Sequence, residues 1–251
     1  MTMNTPLPYT DLFIDFDDTL YDTHGNAIIA LEEIFGIFHL EAYFEHPETF
    51  YKAYWETNVE LWRQYAHGEI ERDYLIVERF RRPLSAGEHW PEHLLEEVDG
   101  RIMVSEAFCL EVSDRFLDCC ATKPGVVDGA HELMRYLRQR GYRLHMASNG
   151  FHEVQYKKLK ASNLHGCFDT VILSEDAGAN KPSEQFFKYA LTQTHANPHT
   201  TLMIGDNPDT DIRGAHDAGL KTLFFNRHAN HPGITPCDYE VTTLAEIMEI
   251  L

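Results

Sequence analysis

Short apolar runs alternate with stretches of helical period along most of the chain. Leu12-Phe13-Ile14-Asp15-Phe16 predicts a buried strand over 12–16, and 144–147, 170–173, 201–204 and 222–225 repeat that texture. Helical periodicity lies between them. Residues 128–140 carry Ala130, Leu133, Met134 and Leu137 on one face, with Asp128 as the candidate cap and Gly141 at the end. Further helices are predicted over 153–162, over 183–194 behind Pro182, and over 210–218 before Gly219. Thr243-Leu244-Ala245-Glu246 reads as a capping box before a last short helix. Alternating strands and helices predict an α/β fold with a doubly wound parallel sheet covered on both faces.

The texture changes over 22–122, where little reads as strand. Helices are predicted over 27–38, 47–66 and 69–81, and Phe50, Tyr54, Leu61 and Tyr65 recur at helical spacing in the second. Pro83 and Pro91 break the pattern, and 92–118 reads as helical again. The expected organisation is a core of 1–21 with 123–251, interrupted by an all-helical insertion over 22–122. Trp55, Trp62 and Tyr65 are read as core of that insertion rather than as a base-stacking pocket. There is no internal repeat and no low-complexity tract.

Composition narrows the function classes. Of 251 residues, 43% are hydrophobic and 24% charged, enough for a real core and against disorder. The net charge of -19 argues against binding polymeric nucleic acid, whose phosphates it repels. It would repel small phosphate esters too, unless a metal ion and a well-placed Lys supply local positive charge. Cys109, Cys119, Cys120, Cys167 and Cys237 form no CxxC pair, so free thiols in a reducing compartment are expected. The fifteen histidines show no metal-ligand spacing, and His216 is read as a surface or capping residue. Residues 1–10 show no basic-then-apolar leader, and no apolar run approaches the ~20 residues of a membrane helix. A soluble cytoplasmic protein is expected.

Candidate chemistry gathers where the predicted strands end. Strand one runs into Asp15 and Asp17, the second into Ser148 and Asn149, and the fourth into Asp206, with Asp209 and Asp211 beyond. Lys181 lies in the loop after the third. Ligands bind beyond the carboxyl ends of parallel strands. Clustered carboxylates offer hard oxygen ligands to Mg²⁺, and a carboxylate can attack phosphorus. A second carboxylate can handle the leaving-group proton, while an ammonium and a hydroxyl hold phosphate oxygens. Asp209 is read as a helix cap.

Four ordered motifs carry a resemblance over almost the whole chain. Asp15-Phe16-Asp17-Asp18-Thr19, Ser148 after an apolar strand, Lys181 before Pro182, and Gly205-Asp206 with Asp211 resemble the four motifs of the haloacid dehalogenase superfamily. The resemblance implies a Rossmann-like core with an inserted helical cap. It implies Asp15 as nucleophile and Mg²⁺ ligand. Asp17 becomes general acid/base and a metal ligand through its carbonyl, and Thr19 supports the phosphoryl loop. Ser148, Asn149 and Lys181 bind phosphate, Asp206 ligates the metal, and Asp211 stands behind it. Dehalogenases typically lack the second Asp of the first motif, and phosphomutases usually continue it with Gly. Asp17 and Thr19-Leu20 therefore lean towards a phosphatase. A non-catalytic binding protein on this fold would be expected to have lost Asp15, Asp17 or Lys181.

Leu61-Trp62 with Tyr65 and Gly68, Ser148-Asn149-Gly150-Phe151, and Ser174-Glu175-Asp176-Ala177-Gly178 are similar to a bacterial pyrimidine 5′-nucleotidase branch. This implies a nucleoside 5′-monophosphate such as dUMP, UMP or dTMP as substrate. The alternative is a sugar-phosphate or phosphoglycolate phosphatase. A monomer or homodimer fits either.

Overall fold

The computed structural model describes residues 8–229 and 237–251. Residues 1–7, part of the stretch read above for a leader, lie outside them. In chain order the elements are β1 (Asp11–Ile14), α1 (Thr23–Ile37), α2 (Pro47–Ala66), α3 (Arg72–Leu84), β2 (Leu95–Val98), β3 (Arg101–Val104) and α4 (Glu106–Ala121). There follow α5 (Ala130–Arg140), β4 (Arg143–Ser148), α6 (His152–Ala161), β5 (Thr170–Leu173), α7 (Ser174–Ala177), α8 (Glu184–Thr194) and β6 (Thr201–Gly205). A π-helical turn (Pro208–Arg213) leads into α9 (Gly214–Asp217), β7 (Lys221–Phe225), β8 (Tyr239–Val241) and α10 (Leu244–Ile250). No helix among the described residues is long and apolar enough to cross a membrane.

Two compact units form. One takes the chain up to Thr23 and from Pro124 onward, and the other is His24–Lys123. In the first, the strand order is β5-β4-β1-β6-β7-β8, all parallel. Strand β1 is buried at every residue because both faces are covered. Leu12 and Ile14 share one apolar cluster with Leu133, Leu137 and Ile247, while Phe13 shares a second with Phe186 and with Met203, its partner on β6. Each such apolar side chain contributes roughly 1.5–3 kcal/mol by leaving water. The register aligns Ile14 with both Met146 and Ile204, so the residues just beyond them reach the same edge.

Several local expectations change. Helix α5 starts after Gly129 in a left-handed conformation (φ 82°), and no side chain caps it, so Asp128 is not its cap. The predicted helix over 210–218 is a π turn followed by a short α-helix. Thr243 accepts the Glu246 amide as expected, while the Glu246 carboxylate reaches back to the amide of Thr242.

The second unit has its own core, in which Leu31, Ile34, Phe50, Tyr54, Phe80 and Phe116 pack together. It is not all-helical. Over 92–118 the chain forms the antiparallel hairpin β2–β3 before α4 begins. Pro83 does not end α3 but sits in its last turn, where it cannot donate the helical hydrogen bond to the carbonyl four residues earlier. Trp55 packs against the core, but Trp62 and Tyr65 are only half-buried and lie outside it, edge to face at 5.7 Å.

Candidate active site

The site begins one residue past β1. The Asp15 amide donates to the Ile204 carbonyl at 2.8 Å, extending the ladder by one bond and fixing the Asp15 side chain at the sheet edge. Lys181, from the loop before α8, is 2% exposed. Its ammonium donates to Asp15 Oδ1 at 2.6 Å, Asp211 Oδ1 at 2.6 Å and the Ala147 carbonyl at 2.7 Å. All three ammonium hydrogens are therefore used. Asn149 holds the backbone of Lys181 at both ends, accepting its amide and donating to its carbonyl, each at 2.8 Å. The Asn149 side chain thus positions Lys181.

The buried Thr19 hydroxyl spans two carboxylates, 3.3 Å from Asp15 Oδ2 and 3.1 Å from Asp206 Oδ1. Asp211 returns towards this point because the π turn opens wide. The amides of Asp211 and Ile212 both donate to the Asn207 carbonyl, and Asp211 Oδ2 accepts the Asn207 amide at 3.0 Å. The return is close enough that a Cβ on Gly205 would stand 2.2 Å from Asp211 Oδ2, so only glycine fits there. Among the described residues, Asp15, Asp206 and Asp211 each bring one oxygen within 4.8 Å of the others. Asp209 instead binds Arg213 on its own turn, as a structural residue does.

Ser148 ends β4, and its Oγ accepts from the Gly150 amide at 3.0 Å and Gln155 Nε2 at 2.9 Å. With both acceptor positions filled, the hydroxyl hydrogen is left to donate elsewhere. Asp17 lies in a loop that doubles back, with Asp18 left-handed (φ 59°) and the Asp18 amide bonded to Tyr21. Its Oδ1 accepts from Thr23 Oγ1 at 2.5 Å and from Lys158 Nζ, and its Oδ2 accepts from Gln155 Nε2 at 2.5 Å. The sequence reading overlooked Thr23, Gln155 and Lys158. The available signal was two polar side chains three apart on α6, a spacing that normally marks a solvated face.

Charge is unevenly balanced. Burial pushes the Asp15 carboxyl up to about 7; Lys181 opposes the rise, and Asp211 and Asp17 add to it. Burial also raises Asp206 well above the usual carboxylate range, with Asp15, Asp211 and Asp18 adding repulsion. Burial works against the Lys181 charge, but Asp15 and Asp211 outweigh it and hold the ammonium. Burial likewise opposes ionisation of Asp17, yet Lys158, Thr23 and Gln155 outweigh it and hold this carboxyl below its usual range. Oxygen-only donors that resist ionising together suit a hard divalent cation, so the donor set fits Mg²⁺. The arrangement offers a carboxylate fixed by one ammonium, with an oriented hydroxyl and a second carboxylate beside it.

Comparisons with known proteins agree with this chemistry. The haloacid dehalogenase-like hydrolase family matches residues 12–219. The pyrimidine 5′-nucleotidase YjjG of Escherichia coli is 30% identical over 248 residues, 96% of each chain. The pyrimidine 5′-nucleotidase PynA of Streptococcus pneumoniae is 29% identical, covering 97% of this chain and 95% of its own. The magnesium-bound structure of the HAD-hydrolase YfnB of Bacillus subtilis superposes with a TM-score of 0.80 at 28% identity. That match covers 98% of this chain and 99% of YfnB.

Proposed function

The chain belongs to the haloacid dehalogenase-like hydrolases as a phosphatase of that family, and on this premise we propose that it is Mg²⁺-dependent and hydrolyses nucleoside 5′-monophosphates through an aspartyl-phosphate on Asp15. The observation that carries the reading is the three-carboxylate cluster at the end of the parallel strands, two of whose members are bonded by the buried Lys181 ammonium. The identity with two pyrimidine 5′-nucleotidases over nearly the whole chain supports the substrate class.

In the first step an Asp15 carboxylate oxygen attacks phosphorus, and the ester P–O bond breaks. Lys181 keeps Asp15 Oδ1 in place and contributes its positive charge to the site, and the hydrogen left on the Ser148 hydroxyl holds an equatorial oxygen. The acid form of Asp17, which Lys158, Thr23 and Gln155 disfavour in the resting site, gives its proton to the departing alcohol oxygen. In the second step a water attacks the aspartyl-phosphate, Asp17 takes the water proton, and inorganic phosphate leaves with Asp15 restored. Asp15, Asp206 and the Asp17 carbonyl would hold Mg²⁺, with Asp211 behind them. The ion supplies the positive charge that lets these carboxylates ionise together beside an anionic phosphate. A reducing cytoplasm suits the chain's five cysteines, none of which forms a disulfide.

The test is phosphate release with Mg²⁺ across pyrimidine and purine 5′-monophosphates, 3′-nucleotides, phosphoglycolate and hexose phosphates, with Asp15→Asn as the blank. Preference for pyrimidine 5′-monophosphates is expected. Preference for a sugar or glycolate ester would replace the substrate class, and no release from any ester would overturn the phosphatase reading.

Metal binding should also show in stability. Asp15 and Asp206 ionise later in the folded chain than in the unfolded one. In metal-free protein their charge therefore costs stability that is retained near pH 4 and lost as pH rises through about 7 for Asp15. Mg²⁺ needs the ionised forms, so its benefit grows over the same range. At Mg²⁺ one hundred times its Kd, a rise in Tm of about 5–10 °C is expected at pH 8. The rise should shrink towards pH 5. An equal shift at both pH values, or none at pH 8, would contradict the assigned ligands.

A further inference from the structure

Two buried polar side chains converge on Asp17 with no role in the steps above. Gln155 and Lys158 lie three apart on α6 and so share one face. Gln155 is 0% exposed and Lys158 7% exposed. Each engages a different oxygen of the Asp17 carboxylate, Lys158 taking Oδ1 beside Thr23 and Gln155 taking Oδ2. A carboxylate offers about four lone-pair directions. Three are taken, and the one left is on Oδ2.

The same Gln155 amide nitrogen donates its second hydrogen to Ser148 Oγ. One side chain therefore ties the proton-transfer carboxyl to the phosphate-binding hydroxyl. Its approach depends on Gly150, because a Cβ there would stand 1.7 Å from Gln155 Nε2. Lys158 is held in turn over the Tyr21 ring, 5.2 Å from its centroid. A stabilising role alone explains this poorly, since buried Gln155 Oε1 has no protein partner, an arrangement that folding stability disfavours.

We propose that Gln155 and Lys158 are positioning residues that aim the free lone pair of Asp17 Oδ2 at the leaving-group oxygen. This rests on the phosphatase reading. Asp17 delivers its proton from that position as the ester P–O bond breaks, and the alcohol leaves neutral. An ester whose alcohol is strongly acidic leaves as the anion and needs no such proton. Loss of the clamp should therefore penalise alkyl esters and spare aryl ones.

The experiment compares kcat/KM for uridine 5′-monophosphate, or whichever alkyl ester the wild type hydrolyses best, with kcat/KM for p-nitrophenyl phosphate. Gln155→Leu and Lys158→Met are each expected to lower the alkyl value by roughly 30- to 100-fold through kcat. For Lys158→Met the p-nitrophenyl value should change by less than about 3-fold, which also shows that the site has folded, whereas Gln155→Leu also removes a donor from Ser148 and should lower both values, the alkyl one more. Lys158→Arg should recover most of the alkyl activity. Equal losses on both esters, or no loss on either, would overturn the clamp while leaving the phosphatase reading intact. A wild-type protein without turnover on any ester would overturn that reading, and the clamp with it.

Discussion

Asp15→Asn is expected to lower phosphate release by at least about ten-thousand-fold, while the metal-free variant melts at or above the wild-type temperature at pH 8. The loss follows from chemistry, because a neutral amide is a poor nucleophile for phosphorus and a weak ligand for a hard cation. The retained stability follows from electrostatics. Burial and neighbouring carboxylates already resist the Asp15 charge, pushing its ionisation up to about 7. At pH 8 the wild type carries that charge at a cost, and the amide removes it. The Asn oxygen can still accept from Lys181, whose other partners, Asp211 and the Ala147 carbonyl, are untouched. Activity measured with saturating Mg²⁺ and melting measured without it separate the two effects. Turnover within about 100-fold of wild type would place the nucleophile elsewhere. A large drop in melting temperature would mean that Asp15 serves the fold rather than opposing it.

The parallel strands were legible because burial on both faces leaves a signal that needs no partner to be read. Thr170–Leu173 appears where its apolar run predicts it and the other predicted strands differ only at their ends, whereas the three-residue edge strand β8, with one buried residue, was not predicted. The hairpin β2–β3 was missed for a physical reason. Leu94, Leu95, Val98 and Ile102 also fall at helical spacing, and β2 is mostly half-buried while β3 runs from exposed to buried, so neither shows a strict alternation. Asp99-Gly100 was the better guide. Both residues are left-handed (φ 48° and 75°), the conformation of a two-residue hairpin turn. The Asp17 clamp was hidden differently. Gln155 and Lys158 look like a solvated helix face until the sheet places α6 against the first loop, a tertiary fact that local sequence does not carry.

Strand β1 carries a buried carboxylate at each end, and their surroundings differ in a way that bears on function. Asp11 is fully buried, yet Arg143 reaches it at 2.7 Å, His145 at 3.0 Å and Thr10 at 2.8 Å. Its partners belong to the fold, and the charge is answered in place. At the other end Asp15, Asp206 and Asp211 crowd within 4.8 Å, and the Lys181 ammonium bonds two of them. Negative charge left in excess inside a protein costs stability. The two ends thus separate a structural carboxylate from a set that suits a cation and an attacking oxygen.

Lys181→Met tests how much of that set depends on one ammonium. The side chain is nearly isosteric, so packing should survive, but three buried acceptors lose their donor together. Breaking a buried ion pair from one side costs about 3–5 kcal/mol, a large share of what holds a domain folded. The penalty should depend on pH in a defined direction. In the wild type the Lys181 ionisation is raised, so the ammonium stays charged across pH 5–8 and its contribution is constant there. In the variant Asp15 loses the positive charge that opposed the rise of its carboxyl, so its ionisation moves higher still. Near pH 5 Asp15 can stay protonated and neutral. At pH 8 it is driven towards a charge that no ammonium answers. The urea midpoint of metal-free protein is therefore expected to fall further below wild type at pH 8 than at pH 5. Phosphate release should drop by roughly a thousand-fold or more, since both the attacking carboxylate and the phosphate oxygens lose their cation. A destabilisation independent of pH would show that Lys181 acts through packing rather than charge. Activity near wild type would remove it from the site.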